Sequence, residues 1–174
     1  MKKKLKNKNE GILFWVTGLS GSGKSTIAKN IFYKIKKIYG PTLLIHGDNL
    51  RNIFKLNGYS LNERLMIGKM YIDLINLIIK QKINLIFTVN GLFHSLRNIN
   101  KKKFKNYIEI YIKADLKKIF KKNKKRNIYS QKNVWGVDLN PEFPKNPHII
   151  VKNNFKDNLN FLSQKILKDV NKII

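Results

Sequence analysis

Nine consecutive residues, Gly18-Leu19-Ser20-Gly21-Ser22-Gly23-Lys24-Ser25-Thr26, follow the spacing G-x-x-x-x-G-K-S/T. Glycines at these places let a loop wrap closely around phosphate groups with its backbone N–H groups turned inward, a path that side chains would block. The lysine is then placed to reach the β- and γ-phosphates of a nucleoside triphosphate, and the next hydroxyl to ligate Mg2+. On this reading Gly18 to Thr26 bind ATP, Lys24 also serves the chemistry, and Ser25 is the protein's ligand to the metal. A flexible Gly/Ser turn would not need this exact spacing between an apolar run and an amphipathic one.

The second cluster is His46-Gly47-Asp48-Asn49-Leu50-Arg51. Asp48 can accept a proton from an attacking hydroxyl or hold a magnesium-bound water, and Arg51 can clamp an anionic acceptor. Spacing alone leaves another reading open, in which Asp48 or Asn49 simply caps a helix. His94 and His148 are isolated and lack metal-ligand spacing. Tyr33, Tyr39 and Tyr107 read as packing residues, and Trp15 as core. Phe93 and Trp135 fall in loops, where an aromatic face can stack on a base.

These residues need a scaffold, and the chain supplies one by alternating short apolar runs with longer amphipathic stretches, as βαβ units do. Strands are expected at 12–16, 42–45, 83–89, 107–112 and 148–151. Helices are expected at 24–38, ended by Gly40-Pro41, at 60–80, at 115–123 and at 159–174. Ser60 with Glu63 three residues later reads as a capping box. Pro141, Pro144 and Pro147 favour an irregular excursion over 124–147. The fold class is α/β: a three-layer α/β/α sandwich on a parallel sheet, in one domain over 1–174 with a basic extension at 1–10. Ligands of such a sheet gather at the carboxyl ends of its strands.

Composition narrows the class further. With no cysteine there is neither a disulfide framework nor a thiolate metal site, which fits a reducing, cytoplasmic setting. No apolar run approaches the roughly 20 residues of a membrane span. Lys and Arg number 36 against 10 acidic residues, a formal charge of +26. Such an excess draws in anionic nucleotides, and on one element it would suggest nucleic acid. Here the lysines are scattered along the whole chain together with abundant Asn and Ile, as AT-rich coding produces, so nucleic acid is not the expected partner.

With these motifs in view, the sequence resembles the adenylylsulfate (APS) kinase family from about Ile12 to Lys152. The matching stretches are GLSGSGKSTIA at 18–28, GDN-L-R at 47–51, Gly58-Tyr59-Ser60 with Arg64, Tyr129, Lys132-Asn133, Gly136-Val137-Asp138, and 141–147. The resemblance implies Mg2+-dependent transfer of the γ-phosphoryl group of ATP to the ribose 3′-hydroxyl of APS, in a homodimer. It places Asp48 beside that hydroxyl, Arg51 against the acceptor and Lys132 to Asp138 in a lid, and Asn49, Arg64, Lys69, Phe93, Lys132 and Trp135 are expected to contact the acceptor with them. A closing lid excludes water that would otherwise take the γ-phosphate.

The departures cluster on the acceptor side. His46 stands where the family usually has Asp, Ile67-Gly68-Lys69-Met70 replaces Asn-Ile-Arg-Arg, and Asn90 to Phe93 replace Phe-Ile-Ser-Pro. Asn123 stands for Arg, the stretch between Tyr129 and Lys132 is shorter, and Val134-Trp135 replaces Phe-Thr. These changes are similar to a divergent branch of the family whose acceptor is cytidine diphosphoramidate. A degenerate nucleotide-binding module without an acceptor is the remaining alternative.

Overall fold

The computed structural model of the chain describes residues 7, 9–122 and 132–174. Tyr129, Asn123 and the first part of the expected lid lie outside the described residues, as does nearly all of the basic N-terminal extension. Five strands form one sheet: β1 (Leu13–Thr17), β2 (Thr42–His46), β3 (Asn84–Thr88), β4 (Tyr107–Lys113) and β5 (Ile149–Lys152). Every pairing is parallel and the order is β2-β3-β1-β4-β5, so the strand that feeds the glycine loop is central. The helices are α1 (Lys24–Tyr39), α2 (Gly47–Ile53), α3 (Leu61–Lys80), α4 (His94–Lys103), α5 (Leu116–Lys122) and α6 (Leu159–Ile173).

Alternation along β1 divides the core. Phe14 and Val16 pack with Ile27, Ile31 and Ile35 of α1 and with Leu162, Ile166 and Val170 of α6. Leu13 and Trp15 turn to the other face, against Ile67, Tyr71, Ile72 and Ile75 of α3 and Leu96 of α4. A strand buried on both faces reads as an unbroken apolar run, which is why β1 contains no polar residue before Thr17. The three-layer α/β/α sandwich expected from the sequence is therefore present.

The capping box of α3 is also present: the Ser60 side chain accepts from the Glu63 N–H while the Glu63 carboxylate accepts from the Ser60 N–H. Two helices were not expected. α2 starts one residue past β2 with His46 as its N-cap, so neither Asp48 nor Asn49 has that position. α4 is polar and rich in Asn and Lys, and it buries Leu96, Arg97 and Asn100 rather than an apolar stripe. Its run of lysines and asparagines makes it polar on average, and a guanidinium does part of the work of a core side chain. Tyr33, expected to pack, is exposed. Residues 132–147 contain no helix or strand beyond an isolated bridge between Trp135 and Leu139.

A third, small cluster sits above the carboxyl edge of the sheet. Leu19, Leu92, Ile119 and Trp135 are buried there with Phe93, Leu116, Leu139 and Phe155 packed against them. It ties the glycine loop to the 132–139 segment, which bonds to itself: the Val134 carbonyl accepts from the N–H groups of Val137, Asp138 and Leu139, and Asp138 Oδ2 from the Val134 N–H.

Candidate active site

The loop between β1 and α1 turns on Gly18, Gly21 and Gly23, all at positive φ. A Cβ on Gly18 would lie 2.5 Å from the Ile112 carbonyl oxygen, so that position is closed by space as well as by φ, while one on Gly23 would lie 2.6 Å from Asn153 Nδ2, where φ is the main bar and the amide would have to give way. Asn153, just past β5, donates to the Ser22 carbonyl at 2.9 Å and braces the loop from behind. Gly23 is the N-cap of α1 and gives it no side-chain cap, and the first turn carries no acidic residue. The free N–H groups and positive dipole end of a 16-residue helix thus face the loop. Ser25 and Thr26 are exposed on that turn.

Lys24 is buried, and its ammonium donates to three oxygens: Gly18 O at 3.0 Å, Leu19 O at 2.7 Å and Asn90 Oδ1 at 2.9 Å. Burial brings its pKa down to about 8, against the opposing pull of the Asp48 carboxylate. Asp48 is exposed on the first turn of α2, and its charge also acts on His46, Arg64 and Tyr71. His46 pairs through Nδ1 with Thr88 Oγ1 at 2.7 Å, joining the ends of β2 and β3. Its pKa is lowered by burial and by Lys29, which keeps the ring neutral at pH 7.

Beside the loop lies a cavity of about 40 Å³ lined by residues that include Asp48, Arg51, Arg64, Tyr71, Asn90 and Trp135. Two guanidiniums flank the Tyr59 ring, Arg51 at 4.6 Å and Arg64 at 5.1 Å from its centre. Arg51 Nη1 donates to the Leu56 and Gly58 carbonyls, which holds the α2–α3 connection. Arg64 Nε donates to Tyr59 O and its Nη2 to Asn133 O, each at 2.7 Å. Arg64 also sits 5.7 Å from the centre of the Trp135 ring, which meets Phe93 edge to face at 5.1 Å. α3, the 90–93 loop and the 132–139 segment are therefore joined through Arg64 and Trp135.

A larger cavity of about 260 Å³, between α4 and residues 144–146, is lined by His94, Arg97, Lys101 and Glu109 among others. Arg97 is buried and bonds the Gly91 and Glu142 carbonyls and the Glu109 carboxylate, 3.3 Å away. Its donors are spent on protein, so it anchors the 90–94 loop to the 141–147 segment.

Of the residues singled out from the sequence, Asp48, Arg51, Arg64, Phe93 and Trp135 line the cavity beside the loop. Asn49, Lys69 and Lys132 are exposed and are not among its lining residues. α3 instead presents Ile67, Gly68 and Tyr71, and Gly68 lets Leu96 approach to where a Cβ would be 2.4 Å from its Cδ1. Lys69 follows on the outer side of the helix. Asn90, marked in the sequence as a departure on the acceptor side, lines the cavity too, and two residues join it that no motif announced: Tyr71, whose hydroxyl donates to Gly47 O, and Trp15, read as core, whose buried indole N–H has no partner among the described residues. The signal of these two was position alone, on the inward face of α3 and in β1.

Comparison with known proteins agrees with this arrangement. A cytidine diphosphoramidate kinase from Campylobacter jejuni is 29% identical over 167 residues, covering 92% of this chain and 97% of that protein. An adenylyl-sulfate kinase from Clostridium kluyveri is 34% identical over 164 residues, 88% of this chain and 80% of the relative. Among solved structures, the APS kinase CysC of Mycobacterium tuberculosis, in complex with AMPPNP and APS, superposes with a TM-score of 0.78 at 20% identity, over 92% of this chain and 98% of that one, which is a likeness of fold. The family profile described as adenylylsulphate kinase matches residues 10–152, the stretch that carries the glycine loop, the Asp48 cluster and the 132–147 segment, and the chain belongs to that family of kinases.

Proposed function

We propose that this chain transfers the γ-phosphoryl group of Mg-ATP to a hydroxyl of a small anionic nucleotide, with adenylylsulfate as the family's default acceptor. One observation carries the reading. The phosphate-loop lysine and the Asp48 carboxylate act electrostatically on one another, and Asn90 bonds the first and lines the same cavity as the second. A donor placed on the loop and an acceptor in the cavity would then meet at Lys24 and Asp48.

Gly18 to Thr26 hold the triphosphate with inward N–H groups, and the ammonium of Lys24 exchanges the Gly18 and Leu19 carbonyls for the β- and γ-oxygens while keeping Asn90 Oδ1. Arg51 and Arg64 attract the anionic acceptor, and Asp48 takes the proton of the attacking hydroxyl. The oxygen so freed forms a bond to the γ-phosphorus as the bond from that phosphorus to the β–γ bridging oxygen breaks, and ADP leaves with the electron pair. The donor set suits Mg2+: the exposed Ser25 hydroxyl would be the protein's ligand, with no cluster of three or more His, Cys, Asp or Glu among the described residues. Mg2+ bound with ATP keeps several waters and phosphate oxygens and takes one or two protein oxygens. When bound, it neutralises charge that develops on the phosphoryl oxygens.

A second acceptor, cytidine diphosphoramidate, is supported by the Campylobacter jejuni relative, which aligns along nearly its whole length. It is supported too by the rebuilt wall of Ile67, Gly68, Asn90 and Trp135. A pocket with several polar contacts changed is expected to change its preferred substrate rather than only weaken it. The deciding experiment incubates the purified chain with Mg-ATP and each acceptor separately, following ADP release and product mass. Phosphorylation of either nucleotide supports the reading, and ADP release without a phosphorylated acceptor overturns it in favour of a nucleotide-binding module. The homodimer that the family resemblance suggests is tested by light scattering at assay concentration, where a monomer would remove it.

A further inference from the structure

We propose that Asn90 is a specificity residue for the acceptor: Lys24 fixes the orientation of its amide, so that the amide N–H groups read an oxygen of the bound nucleotide. The inference rests on the transferase reading above for what fills the cavity. It starts from a hydrogen-bond inventory. A lysine ammonium only donates, so the Asn90 atom 2.9 Å from Lys24 Nζ must be the carbonyl oxygen. The two N–H groups of the same amide are then turned away from the ammonium. No acceptor among the described residues takes them, and Asn90 lines the cavity with Asp48, Arg51 and Arg64.

The backbone around this residue leaves its side chain little choice. The Asn90 carbonyl accepts from Thr17 Oγ1 at the end of β1. Gly91 follows at φ +47, with Trp15 Cζ2 2.7 Å from where a Cβ would stand, and its carbonyl accepts from Arg97 Nη1 at 3.2 Å. The residue is thus held by β1, by α4 and by the phosphate-loop lysine together. Among the cavity's polar groups Arg51 and Arg64 bring full charges, whereas Asn90 brings a neutral donor at the border with the phosphate loop. A neutral, oriented donor there suits an oxygen of the bound nucleotide close to the reacting hydroxyl. A site that hydrogen-bonds its substrate discriminates strongly, because the analogue that cannot reply leaves a polar group unpaired.

The test measures both acceptor binding and turnover, on the full chain. Asn90→Leu keeps the volume and removes the donor, and Asn90→Ser keeps a smaller donor if the leucine variant fails to fold. Acceptor affinity for adenylylsulfate and for cytidine diphosphoramidate is titrated by calorimetry with Mg-AMPPNP bound, and KM values for acceptor and ATP are taken from ADP release. Asn90→Leu is expected to weaken the preferred acceptor about tenfold, in affinity and in KM, with the KM for ATP changed less than threefold, and Asn90→Ser to fall between it and wild type. Acceptor affinity within twofold of wild type in Asn90→Leu, or in Asn90→Ser where the leucine variant does not fold, overturns the proposal, as does an equal rise in both KM values. A wild-type chain that binds an acceptor without phosphorylating it defeats the transferase reading, while the affinity comparison still decides the role of Asn90. A wild-type chain that binds neither nucleotide overturns both.

Discussion

The two halves of the site are built by different means. The phosphate half is nine contiguous residues whose work is done by backbone N–H groups, three glycines at positive φ and one lysine. The acceptor half draws side chains from α2, α3, the loop after β3 and the 132–139 segment, and holds them through Arg64, Tyr59 and Trp135. A backbone site tolerates few changes, because a Cβ at Gly18 would meet the Ile112 carbonyl and one at Gly23 would sit at a strained φ of +97. A side-chain site can be rebuilt one contact at a time around a new substrate. This difference accords with a resemblance that is unbroken over 18–28, whereas the acceptor half keeps Asp48, Arg51 and Arg64 but departs at His46, 67–70 and 90–93.

The contrast breaks most sharply at Lys24. Lys24→Ala should lower kcat/KM by at least about 10³-fold, the upper range for removing one preorganised electrostatic group, with the fold retained. ADP release at saturating Mg-ATP checks it, and near-normal kcat would remove the phosphate half from the chemistry. Asp48→Asn should cost on the order of 10²-fold in kcat, the scale of general-base catalysis, with ATP affinity kept. His46→Ala should cost less, because His46 is neutral and engaged with Thr88. The reverse order would move the base from Asp48 to His46.

On the acceptor side the effects should be smaller and fall on KM. Arg64→Lys replaces a planar fork that bonds Tyr59 O and Asn133 O at once, which a single ammonium cannot copy. The KM for the acceptor should rise about tenfold while that for ATP stays within twofold. Equal rises in both would mean that Arg64 supports the whole domain rather than this half.

The same division governs what could be read from the sequence. Strands β1 to β5 were found within a residue or two, because a parallel sheet buried on both faces writes itself as apolar runs. Gly18 to Thr26 were legible because their function depends on spacing. α4 was missed because Arg97, buried against Glu109, fills a place that an apolar residue would have advertised. Asn90 was legible on the acceptor side only through the family resemblance, and Tyr71 was missed because nothing in its neighbours tells which loop will face which helix. Lys69 was expected beside the acceptor because a family arginine stands nearby, yet the turn of α3 puts Gly68 and Tyr71 on the cavity instead.

The smallest expected effect is protonic, and it tests whether the halves are coupled. Lys24 has a pKa of about 8, lowered by burial and partly restored by Asp48. Below that pH the free chain already carries the ammonium, so ATP binding at pH 7 should take up almost no proton at this site. At pH 9 the free lysine is mostly neutral, whereas bound phosphates favour its charged form, so binding should take up close to one proton. Calorimetric titration of ATP in buffers of different ionisation enthalpy measures this directly. No uptake at pH 9 would mean that the ammonium is not what the phosphates meet, and Lys24→Ala should abolish it. Because the Asp48 carboxylate raises the lysine pKa, Asp48→Asn should shift the onset of uptake to lower pH. An onset that stays in place would show that the acceptor half does not reach the lysine electrostatically, and it would leave Asn90 as the side-chain link between the two.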